Sequence, residues 1–181
     1  MPDRVATVDE LFALLERCAT VTDSIVGGDR TVTILDHGLQ CAAVLTGERP
    51  EDRELQVAGL VHDVGHVLAP GDADGHGRHA AAAIRQLLGS RVARLVELHV
   101  PAKRYLVTTH PSYRQALSDG STRTLELQGG PLEHDEVRAL EADPDLADAL
   151  TLRRADEAAK IPDRPVPGLG SWRSTVEALT G

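Results

Sequence analysis

Leu55-Gln-Val-Ala-Gly-Leu-Val-His62-Asp63 is an apolar run that ends in a charged pair. The spacing of Leu55, Ala58, Leu60 and Val61 predicts a helix, placed from Pro50 to Val64. A charged pair entering an apolar face needs a compensating partner. A bound cation is one efficient partner, since it pairs with the carboxylate and accepts the imidazole lone pair. Adjacent helical residues point ~100° apart, yet near the helix end both side chains can reach one metal.

The flanking sequence supplies more groups of the same kind. His37 shares a helical face with Gln40, Cys41 and Val44, on a helix predicted from Thr33 to Leu45, so it points inward. Asp156 shares a face with Ala149, Leu152 and Ala159, which leaves a carboxylate among small apolar residues unless a cation or strong donor meets it. His79 opens an alanine-rich helix, and His99 follows Leu95 at helical spacing. His37, His62, Asp63, His79, His99 and Asp156 together offer nitrogen and oxygen ligands, a mix suited to iron or manganese and open to zinc. His76 is the rival to His79 across the same loop; His79 is preferred because it begins the helix that would hold it. His76, His110 and His134 are read as loop or surface residues, and Cys18 and Cys41 as core.

The rest of the chain is punctuated for helices. Thr7-Val8-Asp9-Glu10 is a capping box followed by Leu11, Leu14, Leu15 and Cys18 at helical spacing. Gly27-Gly28 breaks the pattern. After a polar loop from Pro70 to Gly77, helical pattern runs from His79 to Leu88 and from Arg91 to Leu98. Pro101 predicts that one helix stops near His99 and another begins. Asp119-Gly120 and Gly129-Gly130-Pro131 read as turns, the second placing Gln128. Asp143-Pro144 reads as a helix start leading to about Lys160, and Glu133–Asp145 as a solvated face. No convincing β pattern appears, and Tyr105–Thr109 is read as helical.

With four aromatic residues in 181, the core must be built from Leu, Val, Ile and Ala, which favours packed helices. The expectation is an all-α bundle forming one domain over 1–161, then a Pro/Gly-rich linker and short helix over 162–181. A net charge of −9 argues against broad nucleic-acid or anionic-membrane binding. The chain has no membrane-length apolar run and no signal-peptide pattern at its start, so a cytoplasmic protein is expected.

The order His37, His62-Asp63, Asp156 resembles the HD-domain superfamily of all-α metalloproteins, and the extra histidines between resemble its two-metal members. Three further segments carry a narrower resemblance: His99-Val-Pro-Ala-Lys103-Arg-Tyr-Leu, Ser121-x-x-Thr124-Leu-x-Leu-Gln128-Gly-Gly-Pro131 and Leu152-Arg-Arg-x-Asp156-x-x-Ala-Lys160. They resemble the mixed-valent di-iron oxygenases that use O2 to cleave the C–P bond of 1-hydroxyphosphonates (the PhnZ and TmpB type). The resemblance runs from His37 to Lys160. It implies two iron ions in a mixed Fe(II)/Fe(III) state, O2 as co-substrate and a small organophosphonate as partner. It implies that Asp63 bridges the irons, that His37, His62 and Asp156 complete one, and that His79 and His99 complete the other. It further implies that His66, Lys103, Ser121, Thr124 and Gln128 hold the phosphonate, with Asp63, His66 and Lys103 the catalytic set. Lys103 suits a dianion as a point charge, and hydroxyls and an amide add donors.

The chain departs from those oxygenases over Ser24-Ile-Val-Gly-Gly-Asp-Arg30-Thr-Val. That stretch has no tyrosine and places Asp29-Arg30 where they carry a glutamate that meets the substrate's amino group, so the substituent beyond C1 is left open. Two other readings stand beside the oxygenase: a metal-dependent phosphohydrolase of a phosphate ester or nucleotide, and a catalytically silent metal-binding domain.

Overall fold

The computed structural model describes residues 4–26 and 30–180; the glycine pair at 27–28 and Asp29 lie outside the described residues. The chain is an all-α bundle, as its leucine-, valine- and alanine-rich composition requires, with one small hairpin. Helix α1 (Val8–Cys18) opens on the Thr7–Glu10 capping box and buries Leu11, Leu14, Leu15 and Cys18. Strands β1 (Thr22–Val26) and β2 (Arg30–Thr33) then pair antiparallel, with Thr22 opposite Thr33. This hairpin corrects the expectation of no β structure. Its strands are short, and Thr and Val alternate too briefly to register against the helical pattern on either side.

Helix α2 (Ile34–Glu48) starts at Thr33, whose side chain accepts from the Asp36 N–H. Helix α3 (Arg53–Val61) starts at Asp52 and stops with His62 as its C-cap. These two helices lie against each other because Gly38 brings α2 onto the Leu60 backbone; a Cβ at residue 38 would overlap the Leu60 carbonyl. A short turn leads to α4 (Gly65–Leu68). Gly65 has a similar reason to be glycine, since a Cβ there would overlap the His76 carbonyl.

Helix α5 (His76–Thr109) is broken at Gly89, where φ is 86°, a conformation that glycine adopts without strain. The expected stop near His99 does not occur, and Pro101 lies inside the helix. The bias that a proline places on its neighbour is overridden here because Leu98, His99, Val100, Ala102 and Lys103 are all buried and hold the segment by packing. Next come α6 (Pro111–Ala116), α7 (Asp119–Leu127), α8 (His134–Glu141) and α9 (Leu146–Ala158). Asp119-Gly120 thus opens a helix rather than forming a free turn, and α9 begins two residues after the proline at 144. Gly129 and Gly130 turn the chain with φ of 91° and 69°. A 3-10 turn (Leu169–Trp172) and α10 (Arg173–Glu177) close the chain.

The main core draws on α1, α2, α3, α5 and α9, and Trp172 and Val176 from the C-terminal segment join it. Ala155, Ala159 and Ala80 are fully buried there, so the helices approach closely around the charged groups described next. Among the described residues, no helix is long and apolar enough to cross a membrane.

Candidate active site

Four imidazoles and two carboxylates converge where α2, α3, α5 and α9 meet. His37 comes from α2, His62 caps α3, Asp63 follows it, His76 and His99 lie on the two arms of α5, and Asp156 comes from α9. All six are nearly inaccessible to solvent.

The ring nitrogens define what this cluster can hold. Each of the four histidines donates from Nδ1 to a backbone carbonyl: His37 to Ala159 O at 3.0 Å, His62 to Gly59 O at 2.8 Å, His76 to Ala73 O at 2.7 Å and His99 to Val96 O at 2.6 Å. A carbonyl only accepts, so every Nδ1 carries a proton, and in the neutral ring every Nε2 presents a lone pair. Those lone pairs face one another. His37 Nε2 lies 3.1 Å from His62 Nε2, and His76 Nε2 lies 2.8 Å from His99 Nε2. Lone pairs opposed at that distance repel unless a proton or a metal ion joins them.

Asp63 stands between the two pairs. Its Oδ2 is 3.5 Å from His37 Nε2 and 3.4 Å from His62 Nε2, whereas its Oδ1 is 3.3 Å from His76 Nε2 and 3.6 Å from His99 Nε2. One carboxylate oxygen therefore faces each imidazole pair, so Asp63 could serve a cation held by either pair. Asp156 adds its Oδ1 at 3.1 Å from His37 Nε2. Two groups thus have the geometry to hold a metal ion, His37–His62–Asp63 and Asp63–His76–His99. Nitrogen and carboxylate donors with protonated outer nitrogens fit iron well.

Each imidazole pair has one member shifted down and one up: burial lowers His62 and His99, whereas, against their burial, Asp156 raises His37 and Asp63 raises His76. Burial, with the charges of His76 and His62 beside it, pushes His99 well below the usual imidazole range, which leaves its Nε2 free as a ligand. Burial works against the Asp156 anion, but the Arg153 guanidinium and His37 hold its carboxyl well below the usual range.

The expected ligand His79 does not belong to the cluster. Its side chain is 38% exposed and its Nε2 meets Asp72 Oδ2 at 2.9 Å. His76, expected on the surface, is 2% exposed and takes that place. The reason is a helix boundary: α5 begins at His76, one turn earlier than the alanine-rich pattern indicates. Gly77 beside it lets the chain pass close to the His99 ring, where a Cβ would come within 3.0 Å of Cε1.

A cavity of about 230 Å3 adjoins the cluster. His66 lines it, stacked on His76 with centroids 4.1 Å apart and its Nε2 3.9 Å from Asp63 Oδ1. Lys103 reaches in from α5 and donates to Thr124 Oγ1 on α7 at 2.7 Å and to Gln128 Oε1, which caps the end of α7, at 2.8 Å. Burial and the nearby Arg153 charge lower the Lys103 pKa to about 7. Ser121, one turn before Thr124, donates its hydroxyl to Glu157 at 2.8 Å. The expected set His66, Lys103, Ser121, Thr124 and Gln128 is therefore brought to one cavity.

Arg153 is a residue that the sequence reading gave no role. It is buried, and its guanidinium meets Asp156, Glu157, the Tyr113 hydroxyl at 2.7 Å and the Ser121 hydroxyl at 3.3 Å. Its spacing from Asp156 and Glu157, three and four residues on one helix, was a legible sign of that bridging position. Lys160 also lines the cavity, 3.9 Å from Asp156 Oδ1 and 3.6 Å from Asp23 Oδ2.

Residues 33–159 match the HD domain family. The chain belongs to the HD-domain family. This HD-domain protein is 37% identical over 159 residues to hydroxymethylphosphonate dioxygenase of Gimesia maris, covering 83% of this chain and 79% of the relative. It is 35% identical over 156 residues to [1-hydroxy-2-(trimethylamino)ethyl]phosphonate dioxygenase (glycine-betaine-forming) of Leisingera caerulea, covering 82% and 79% respectively. The family resemblance read from His37 to Lys160 is thus that of the HD-domain oxygenases named for phosphonates.

Proposed function

We propose that this HD-domain protein is a di-iron oxygenase that uses O2 to cleave the C–P bond of a small 1-hydroxyphosphonate, releasing phosphate and a carboxylate. The observation that carries the reading is Asp63, with one oxygen toward each of two facing imidazole pairs, beside a cavity headed by a lysine that meets no carboxylate among the described residues. His37, His62, Asp63 and Asp156 would hold one iron, and Asp63, His76 and His99 the other. Two bound irons in a mixed Fe(II)/Fe(III) state would supply dioxygen binding and oxidation at C1. The overall change balances: R–CH(OH)–PO3 and O2 give R–COOH and phosphate.

The chain's own residues orient and neutralise. The Lys103 ammonium sets one charge against the phosphonate dianion, while Thr124 and Gln128 fix its direction and offer further polar contacts. Ser121 holds its hydroxyl at the same wall through Glu157 and Arg153. His66 faces the cavity beside the metal position. Burial lowers its pKa, so its ring is neutral and can hydrogen-bond a substrate oxygen without bringing a competing charge. A cavity of about 230 Å3 accommodates a compound of few heavy atoms, in keeping with substrates of the size named for the relatives.

The test is phosphate release by the anaerobically purified, Fe(II)-loaded protein from a panel of 1-hydroxyphosphonates, with and without O2. Release that requires O2 is expected. Release that proceeds equally without it would assign the protein to phosphohydrolase chemistry instead, with the metals activating water.

A further inference from the structure

The mouth of the cavity carries a cation that the chemistry above does not use. Arg123 lies on α7, one residue before Thr124, and lines the cavity. It is exposed. On a helix, Asp119 four residues before it and Glu126 three residues after it are the natural ion-pair partners. Arg123 forms an ion pair with neither, nor with any other carboxylate among the described residues, although arginines on the same protein find such partners: Arg91 meets Asp52, Glu54 and Asp148, and Arg138 meets Asp135.

Gly120, one turn earlier on the same helix, lines the cavity as well. Neither a positive φ nor a close approach requires glycine there, since a Cβ at residue 120 would meet nothing within 4 Å. What the glycine leaves is open space beside Arg123 at the cavity's edge.

A dianion must approach a protein whose net charge is −9. Lys103, the cation that would hold it, is buried at 3% exposure, so an arriving dianion meets a group at the cavity's edge first. We propose that Arg123 is a substrate-capture residue at the cavity mouth, a guanidinium that draws in the phosphonate dianion and passes it to Lys103 through the gap left by Gly120. The inference rests on the anion-pocket reading above and adds how that pocket is entered. An exposed cation at the rim of a cleft acts on association, and its effect falls with ionic strength.

The test is calorimetric titration of methylphosphonate, which lacks the reacting hydroxyl, into the anaerobic Fe(II)-loaded protein at low and high salt. Arg123→Ala is expected to bind about three- to tenfold more weakly at low salt and to lose much of the salt dependence. Arg123→Glu is expected to weaken binding further, and Arg123→Lys to restore most of it, all with unchanged iron content and melting temperature. In turnover with a 1-hydroxyphosphonate, the loss should fall on KM and leave kcat in place. Wild-type affinity and salt dependence in Arg123→Ala would overturn this proposal and leave the pocket reading intact, as would an equal loss in kcat. Failure of methylphosphonate to bind the unaltered protein would overturn both.

Discussion

His76 Nε2 and His99 Nε2 face each other across 2.8 Å, while the Nδ1 of each ring donates to a carbonyl three residues earlier in the chain. The outer bonds fix both tautomers, so the inner contact is between two lone pairs. The same holds for His37 and His62 at 3.1 Å. A fold that assembles two such contacts around one carboxylate is arranged for cations, and the predictions below follow from that.

His76 and His79 separate the metal assignment from the sequence pattern. His76→Ala should lose about one of two iron equivalents per chain, and His79→Ala should retain both. Iron determination after anaerobic loading and desalting measures this directly. Loss of iron in His79→Ala with retention in His76→Ala would reverse the assignment.

Metal loading should raise stability, because the ions bind a site that the unfolded chain lacks. At free metal one hundredfold above the dissociation constant, the gain is about 2.7 kcal/mol per site. A melting curve with and without Fe(II) should show the shift, and Asp63→Asn should remove it from both sites at once because the two share that carboxylate.

Anion affinity should depend on pH through Lys103. Its pKa lies near 7 in the free pocket, and a bound dianion favours the charged form. Affinity for methylphosphonate should therefore fall as pH rises through about 7, approaching tenfold per pH unit above it. In Lys103→Arg the guanidinium stays charged, so the difference between the two proteins cancels the ligand's own titration. An identical pH profile in both would remove Lys103 from the anion site.

Arg153 joins four partners on α6, α7 and α9 from a buried position. Arg153→Met should destabilise the metal-free protein by about 3–5 kcal/mol, since Asp156 and Glu157 are left without their guanidinium. Urea unfolding reads this. Arg153→Lys should recover little, because an ammonium lacks the planar fork that spans the partners.

Much of this was legible in the sequence, and the failures have physical causes. The apolar run into His62-Asp63, the inward face of His37 and the isolated Asp156 carboxylate identified the cluster, because a polar group on an apolar stripe needs a partner wherever it occurs. Lys103, Thr124 and Gln128 could be placed on one cavity wall by the narrower family resemblance. His76 was missed because the start of α5 rests on Gly75 and a loop, which no helical periodicity marks. The continuity of α5 through Pro101 was missed because tertiary burial of its flanks outweighs a local backbone preference. The β1–β2 hairpin was missed because strands of five and four residues carry too short an alternation to read. The stretch at Gly27–Arg30, read from the sequence as a departure from the resembled oxygenases, includes residues 27–29, which lie outside the described residues.

The most direct test of the oxygenase account is isotope incorporation. The Fe(II)-loaded protein should be given a 1-hydroxyphosphonate under 18O2 in ordinary water, and the products weighed by mass spectrometry. Label in the products, with O2 consumed in proportion to phosphate released, is the predicted result. Unlabelled phosphate and organic product, released without O2 uptake, would contradict the account.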